Sequence, residues 1–265
     1  MRSITRLLSF KKSKGSIFYL ILRKISRGKL KRQLLDVGFN ETHSARRINM
    51  LKNNSESKYL EIGVEYGFTF EGVKAKYKYA VDPNPKFVAN KKMKMFQMDS
   101  NKFFASLTKD ELFDVIFLDG LHVSEQLLYD FCNSIMHIRE DSWILIDDVI
   151  PRDTISAIED QKKSLSLRKQ TGKYGGTWHG DCYKILPILK KYFPQFDQYL
   201  IIYPDNPQLL VRLKSGFKLP TVLPSSFEEI VNEMKSITYL GVFNSKAMAD
   251  YQTFIEENFF IEINP

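Results

Sequence analysis

From residue 58 onward, short apolar runs alternate with longer stretches in which apolar residues recur every three or four positions. The runs are KYLEIG (58–63), YKYAV (77–81), KMFQM (94–98), FDVIFLD (113–119), WILIDD (143–148), QYLIIY (198–203) and QLLVRL (208–213). Five or six β-forming residues that are apolar on both faces predict strands covered on both sides, as in a parallel sheet. Between the fourth and fifth runs, Leu127, Leu128, Phe131, Ile135 and Ile138 fall at helical spacing, with Ser124 placed to cap that helix. Strands alternating with helices predict a doubly wound α/β sheet of seven strands. Only PDNP separates the last two runs, so they are expected to form an antiparallel hairpin at one edge. Flanking this core domain (51–217) are a basic helical N-terminal arm (1–50) and a helical C-terminal appendage (218–265), the latter with SSFEEIVNEMKS opening on a serine cap.

Charge sharpens this division. The formal net charge is +8, yet residues 1–35 carry eleven Lys/Arg and no acid, while the remaining 230 residues carry 28 basic and 31 acidic side chains. The basicity therefore belongs to the arm, and the body is mildly acidic, which argues against nucleic acid as a specific partner. The arm's apolar run, Ile17–Leu22, is far short of the roughly 20 residues that a membrane span needs. It also lacks the small-residue cleavage site of a signal peptide. A basic, partly amphipathic arm suits peripheral contact with an anionic membrane face through residues 1–35, or packing on the domain or on a second subunit of a homo-oligomer. Cys132 and Cys182 lie far apart without CxxC spacing, so neither a disulfide framework nor a zinc site is expected and a cytoplasmic setting is the default.

In an open α/β sheet, ligands bind beyond the carboxyl ends of the strands, so each strand end is where the chemistry should be found. The first ends in EIGVEYG, where Gly63 and Gly67 permit a tight turn and close approach to a ligand. Asp82, twenty-one residues after Glu61, is spaced to accept hydrogen bonds from ribose hydroxyls, unless it merely forms the turn before Pro83. Asp99 and Ser100, after the third run, are candidates for an adenine amino group. The fourth and fifth ends bring Asp119 and His122 (LDGLH) together with Asp147 and Asp148 (LIDDV). Three carboxylates at adjacent strand ends repel one another, and a divalent cation, Mg²⁺ or Mn²⁺, would remove that conflict. Such an ion could orient an acceptor's hydroxyls and acidify one of them, with His122 as the general base. The metal-free alternative has Asp147 capping the segment after it and Asp148 pairing with Arg152. The loop TGKYGGTWHGDCYK adds His179 as a second candidate base and Trp178 as a sugar-stacking face, while Asp181, His43 and His137 fit structural roles.

ExGxxxG followed by an acid after strand 2 and another after strand 3 resembles the class I S-adenosylmethionine-dependent methyltransferases, over roughly residues 56–215. The resemblance implies a Rossmann-like seven-stranded sheet with S-adenosylmethionine as cofactor. Glu61, Gly63 and Gly67 would line its methionine and ribose side, Asp82 the ribose diol, Asp99 and Ser100 the adenine, with Asp119 at the cofactor's edge. Asp-x-x-His after strand 4 and the acid-Asp pair after strand 5 resemble the metal-dependent sugar O-methyltransferases of the macrocin type. The stretch from FDVIFLDGLH to WHGDCYK is also similar to methyltransferases of bacterial surface-polysaccharide biosynthesis. This implies Asp119, Asp147 and Asp148 as metal ligands, His122 as base, and a sugar or glycan acceptor. REDSW stands where such sequences often have Pro-Gly-Gly. A catechol-type small-molecule O-methyltransferase is the alternative, and a nucleic-acid methyltransferase is disfavoured because its Asp/Asn-Pro-Pro-aromatic and Pro-Cys motifs are absent.

Overall fold

The computed structural model of the protein describes residues 42–51, 56–87, 93–172, 177–203, 206–220, 226–244, 248–249 and 251–255. The strands are β1 (Lys58–Ile62), β2 (Tyr77–Val81), β3 (Met93–Phe96), β4 (Phe113–Leu118), β5 (Ile138–Ile146), β6 (Phe196–Tyr203), β7 (Gln208–Leu213) and β8 (Gln252–Ile255). They form one sheet in the order β3-β2-β1-β4-β5-β7-β6-β8. Only β7 runs antiparallel to its neighbours; all other pairings are parallel.

The strands are apolar on both faces because both are covered. Leu60, Ile62, Ile116, Leu118, Ile144 and Ile146 face one core, under helices α4 (Ser124–Ser134), α6 (Ile185–Tyr192) and α7 (Phe227–Ser236). Tyr59, Val115, Phe117, Trp143 and Leu145 face the other, under α1 (His43–Leu51) and α2 (Phe68–Gly72). Most of these side chains are fully buried, and each such Leu, Ile or Phe contributes about 1.5–3 kcal/mol of transfer free energy. Helices α3 (Ser100–Ser106), α5 (Gln161–Gln170) and α8 (Tyr239–Val242) and a 3-10 turn at Cys182–Lys184 are also among the described residues.

Four features differ from expectation. The β6–β7 hairpin is not the edge, because β8 adds to β6 in parallel; the C-terminal segment therefore supplies a strand as well as helices. Helix α4 ends at Ser134, and Ile138 opens β5, so REDS belongs to a strand with its Arg139–Asp141 side chains in solvent. Ser124 is the first residue of α4, not its cap: Val123 holds the cap position, and the backbone N–H and hydroxyl of Ser124 both donate to Asp181. Ser226 stands at the cap of α7 without a side-chain hydrogen bond. Of the N-terminal arm, residues 1–41 lie outside the described residues; its last part is α1, which packs on the sheet through Ala45, Ile48 and Leu51.

Candidate active site

The sheet ladder continues one residue past each central strand. Backbone N–H groups of Asp82, Gly63, Asp119 and Asp147 donate to the carbonyls of Phe96, Val81, Ile62 and Leu118, at 3.2, 2.8, 2.9 and 3.0 Å. These bonds align the ends of β2, β1, β4 and β5 along one carboxyl edge, which is why acids distant in sequence become neighbours. Gly63 makes the alignment possible. Its φ is +86°, and a Cβ there would lie 1.9 Å from the Asp119 carbonyl oxygen, so only glycine lets β1 and β4 close at this point.

Asp119, His122 and Asp148 converge with ligand atoms all within 4.8 Å of one another. His122 Nε2 lies 3.5 Å from Asp119 Oδ1, and Nδ1 lies 3.0 Å from Asp148 Oδ2 and 3.2 Å from the Trp178 carbonyl. Because a carbonyl only accepts, Nδ1 carries a hydrogen. The Trp178 ring stacks on the imidazole at 4.9 Å and donates Nε1–H to the Ile158 carbonyl, which fixes the plane of His122. Asp148 holds its backbone at φ +58°, an uncommon conformation for a non-glycine residue. Asp147 stands outside the trio: its carboxylate accepts from the Asp148 N–H at 2.8 Å and from Asn206 Nδ2 at 3.1 and 3.2 Å. Asp148 pairs with histidine, and no ion pair with Arg152 forms among the described residues; Arg168 instead engages Asp153.

The charges are poorly matched. Burial pushes the Asp148 carboxyl well above its usual range, with Asp147 adding to the rise, and burial also raises Asp119 despite the pull of His122. Asp147 is pushed up to about 7 by burial and by Asp119. For His122 burial disfavours the charged form, but Asp119, Asp148 and Asp147 together outweigh it and raise the imidazole to about 9. Several carboxyls thus share one imidazolium, and the edge is short of positive charge.

His179 sits behind this trio. Its Nε2 is 3.7 Å from Asp148 Oδ1 and 2.6 Å from the Thr177 hydroxyl, while Nδ1 is buried without a hydrogen-bond partner. Burial and the nearby His122 lower its pKa to about 4. The loop that carries it is tied down from both sides. Asp181 accepts from Ser124 at 2.7 and 2.8 Å and pairs with Lys184 at 2.8 Å. Gly180, at φ +62°, packs where a Cβ would meet the His122 carbonyl at 1.7 Å. Asp181 therefore braces the α4 N-terminus from 57 residues away.

The other expected positions divide. Asp82 accepts from the backbone of Glu65 at 2.9 Å and of Asn84 at 2.6 Å, tying the β1 and β2 loops together. Gly67 adopts φ +66° against the Phe87 ring. Glu61 is only 2% exposed; Tyr59 Oη donates to it at 2.5 Å, and burial raises its carboxyl to about 8. Asp99 caps α3 through the Lys102 N–H at 2.9 Å and an exposed ion pair with the same side chain. Ser100 receives Gln126 Nε2 at 3.2 Å, beside the buried Asp130, which burial raises to about 6. His137 is structural, with Nδ1 at 3.0 Å from the Glu111 carbonyl, and His43 opens α1. Asp130, Asn206 and the Trp178–His122 stack had no signature beyond ordinary helix, turn and loop composition.

Residues 60–149 match the family model described as a methyltransferase domain. No curated protein matches significantly. Cofactor-bound Rv0187 from MTB superposes with a TM-score of 0.50 at 14% identity, covering 76% of this chain and 97% of that one. The SAH-bound methyltransferase PaMTH1 of Podospora anserina does so at 0.51 and 14% identity, covering 81% and 96%. Both show the fold. MycE methyltransferase of the mycinamycin pathway, in complex with Mg, SAH and mycinamycin VI, aligns at 0.41 and 19% identity over 72% of this chain and 53% of its own; that looser likeness decides nothing about metal or acceptor.

Proposed function

We infer, for a chain with a methyltransferase domain on the class I methyltransferase fold, that it moves a methyl group from S-adenosylmethionine to a hydroxyl oxygen with help from a divalent cation, Mg²⁺ or Mn²⁺. The acceptor we propose is a sugar or glycan. One observation carries the reading: Asp119 and Asp148 meet His122 within 4.8 Å at the strand ends beside the Gly63 loop. Carboxyls whose anionic forms are penalised by burial and by each other are a donor set that a hard cation satisfies. Asp119 and Asp148 would hold it, with Asp147 beside them. Together, S-adenosylmethionine and the cation would supply an electrophilic methyl and the charge that acidifies the acceptor hydroxyl.

The chain's own residues do the rest. With a cation on Asp119 and Asp148, the carboxylates that raise the His122 imidazole to about 9 would be neutralised; His122 would then keep its Nδ1 hydrogen toward Asp148 and the Trp178 carbonyl and offer Nε2, on the Asp119 side, to the hydroxyl proton. The Trp178 stack holds that nitrogen in line. Since the departing sulfur is neutral, no side chain need act as general acid, and alignment supplies much of the rate. Gly63, Gly67 and Asp82 would cradle the cofactor; each Asp82 oxygen already takes one N–H and keeps capacity for a ribose hydroxyl. Ser100 would face the adenine; Asp99 supports it by starting α3. A solvent-open depression beside Val123, next in the chain to His122, is lined by Ile158 and by the exposed Glu159, Asp160 and Lys163.

Transfer of labelled methyl from S-adenosylmethionine to a panel of glycans and catechols tests the reading. His122→Ala should cut turnover by about 10²–10⁴-fold while S-adenosylhomocysteine still binds. Full activity after exhaustive chelation would exclude the cation, and labelling confined to catechols would exclude the sugar.

A further inference from the structure

Asp147 is held by a buried polar chain that starts in the N-terminal helix. The amide Nδ2 of Asn206 reaches both of its carboxylate oxygens, at 3.1 and 3.2 Å. Asn206 lies between β6 and β7 at φ +55°, in the left-handed region that asparagine tolerates better than most residues. Its carbonyl accepts from Arg47 Nη1 at 2.6 Å, and the same nitrogen donates to Gln208 Oε1 at 2.7 Å. Gln208 in turn gives its Nε2 hydrogen to Ser44 Oγ at 2.7 Å. Arg47 and Gln208 are fully buried and Ser44 nearly so. Groups buried this deeply must satisfy one another, so the chain of contacts has few alternative arrangements.

We propose that Asn206, anchored by Ser44 and Arg47 of α1, is a positioning residue that holds the Asp147 carboxylate in place beside the Asp119–Asp148 cation site, and that α1 is thereby a working part of the site. The proposal rests on the cation-dependent reading above. The choice of side chain is chemically apt. A neutral amide orients a carboxylate without cancelling its charge, whereas a lysine or arginine in its place would compete with the ion. The buried guanidinium of Arg47 is directed to the Asn206 carbonyl and the Gln208 amide oxygen, so its charge organises the turn one step back from Asp147.

Asn206→Gly keeps the left-handed backbone and removes the amide, so it is the variant of choice. Mn²⁺ affinity, read by electron paramagnetic resonance on the full chain, should fall about 10-fold, a size common for residues that orient metal ligands. S-adenosylhomocysteine affinity should stay near wild type even if the melting temperature falls by a few degrees, whereas a merely structural role would weaken both ligands together. Arg47→Lys keeps the charge but cannot reach both oxygens, and it should weaken Mn²⁺ in the same way; it carries the test where Asn206→Gly does not fold. Unchanged Mn²⁺ affinity in a folded variant overturns the positioning role and leaves the cation in place. A wild-type chain that binds no Mn²⁺ overturns both.

Discussion

Stripping the protein of divalent ions and raising the pH should weaken its fold together. The imidazole of His122 titrates at about 9 in the fold against an ordinary 6.5. A group raised in this way contributes stability that is complete below 6.5 and lost as pH climbs through 9. For His122 alone the gap is worth ~3 kcal/mol at 1.36 kcal/mol per tenfold. Asp147 acts in the same direction: raised from 3.8 to about 7, it binds its proton more tightly folded than unfolded, and that contribution fades as pH rises from about 4 through 7. The groups share one site and do not add. A net difference of one proton sets the slope at ~1.4 kcal/mol per pH unit, so between pH 7 and 9 the ion-free protein should lose ~2–3 kcal/mol. For a chain of this size that is a fall of about 5–10 °C in melting temperature. Saturating Mg²⁺ replaces the proton as counter-charge, so its stabilising effect should grow with pH. Thermal melts in EDTA and in Mg²⁺ across pH 6.5–9 measure both. A melting temperature that is flat or rises with pH in EDTA, or Mg²⁺ stabilisation that ignores pH, would refute the charge accounting.

Two other perturbations test how the site is built. Asp181→Ala strands the buried Ser124 donors and the Lys184 ammonium, and should cost about 3 kcal/mol in denaturant unfolding; a loss below half that would mean water replaces the carboxylate. Gly63→Ala forces a Cβ against the Asp119 carbonyl and should cost more than about 2 kcal/mol while abolishing binding of both Mn²⁺ and S-adenosylhomocysteine. Gly216→Ala is the control: at φ +84° but with open space around it, it should cost only about 1 kcal/mol and leave binding intact.

The parallel core was legible because strands buried on both faces must be apolar throughout, and Ile116, Phe117 and Leu118 have no polar side to hide. The strand-end acids were legible because no fold requires Asp119, His122, Asp147 and Asp148 there. What escaped depended on tertiary partners. The four residues of β8 carry no signal until β6 offers its edge. The start of β5 reads as polar loop because its side chains at 139–141 face solvent. Asp99 satisfies a helix cap with the same local pattern that suggests an adenine contact. Asn206 reads as a turn residue until Asp147 arrives opposite it, and Asp181 reads as loop until Ser124 does. No helix among the described residues is long and apolar enough to cross a membrane.

The most direct test of the cation site is anomalous diffraction at the manganese edge from crystals grown with Mn²⁺ and S-adenosylhomocysteine. The expected result is a single peak about 2.0–2.3 Å from carboxylate oxygens of both Asp119 and Asp148, with Asp147 still held by Asn206 beside it and His122 Nε2 left facing the acceptor side. S-adenosylhomocysteine bound in the Gly63–Asp82 cleft with no manganese between Asp119 and Asp148 would contradict it.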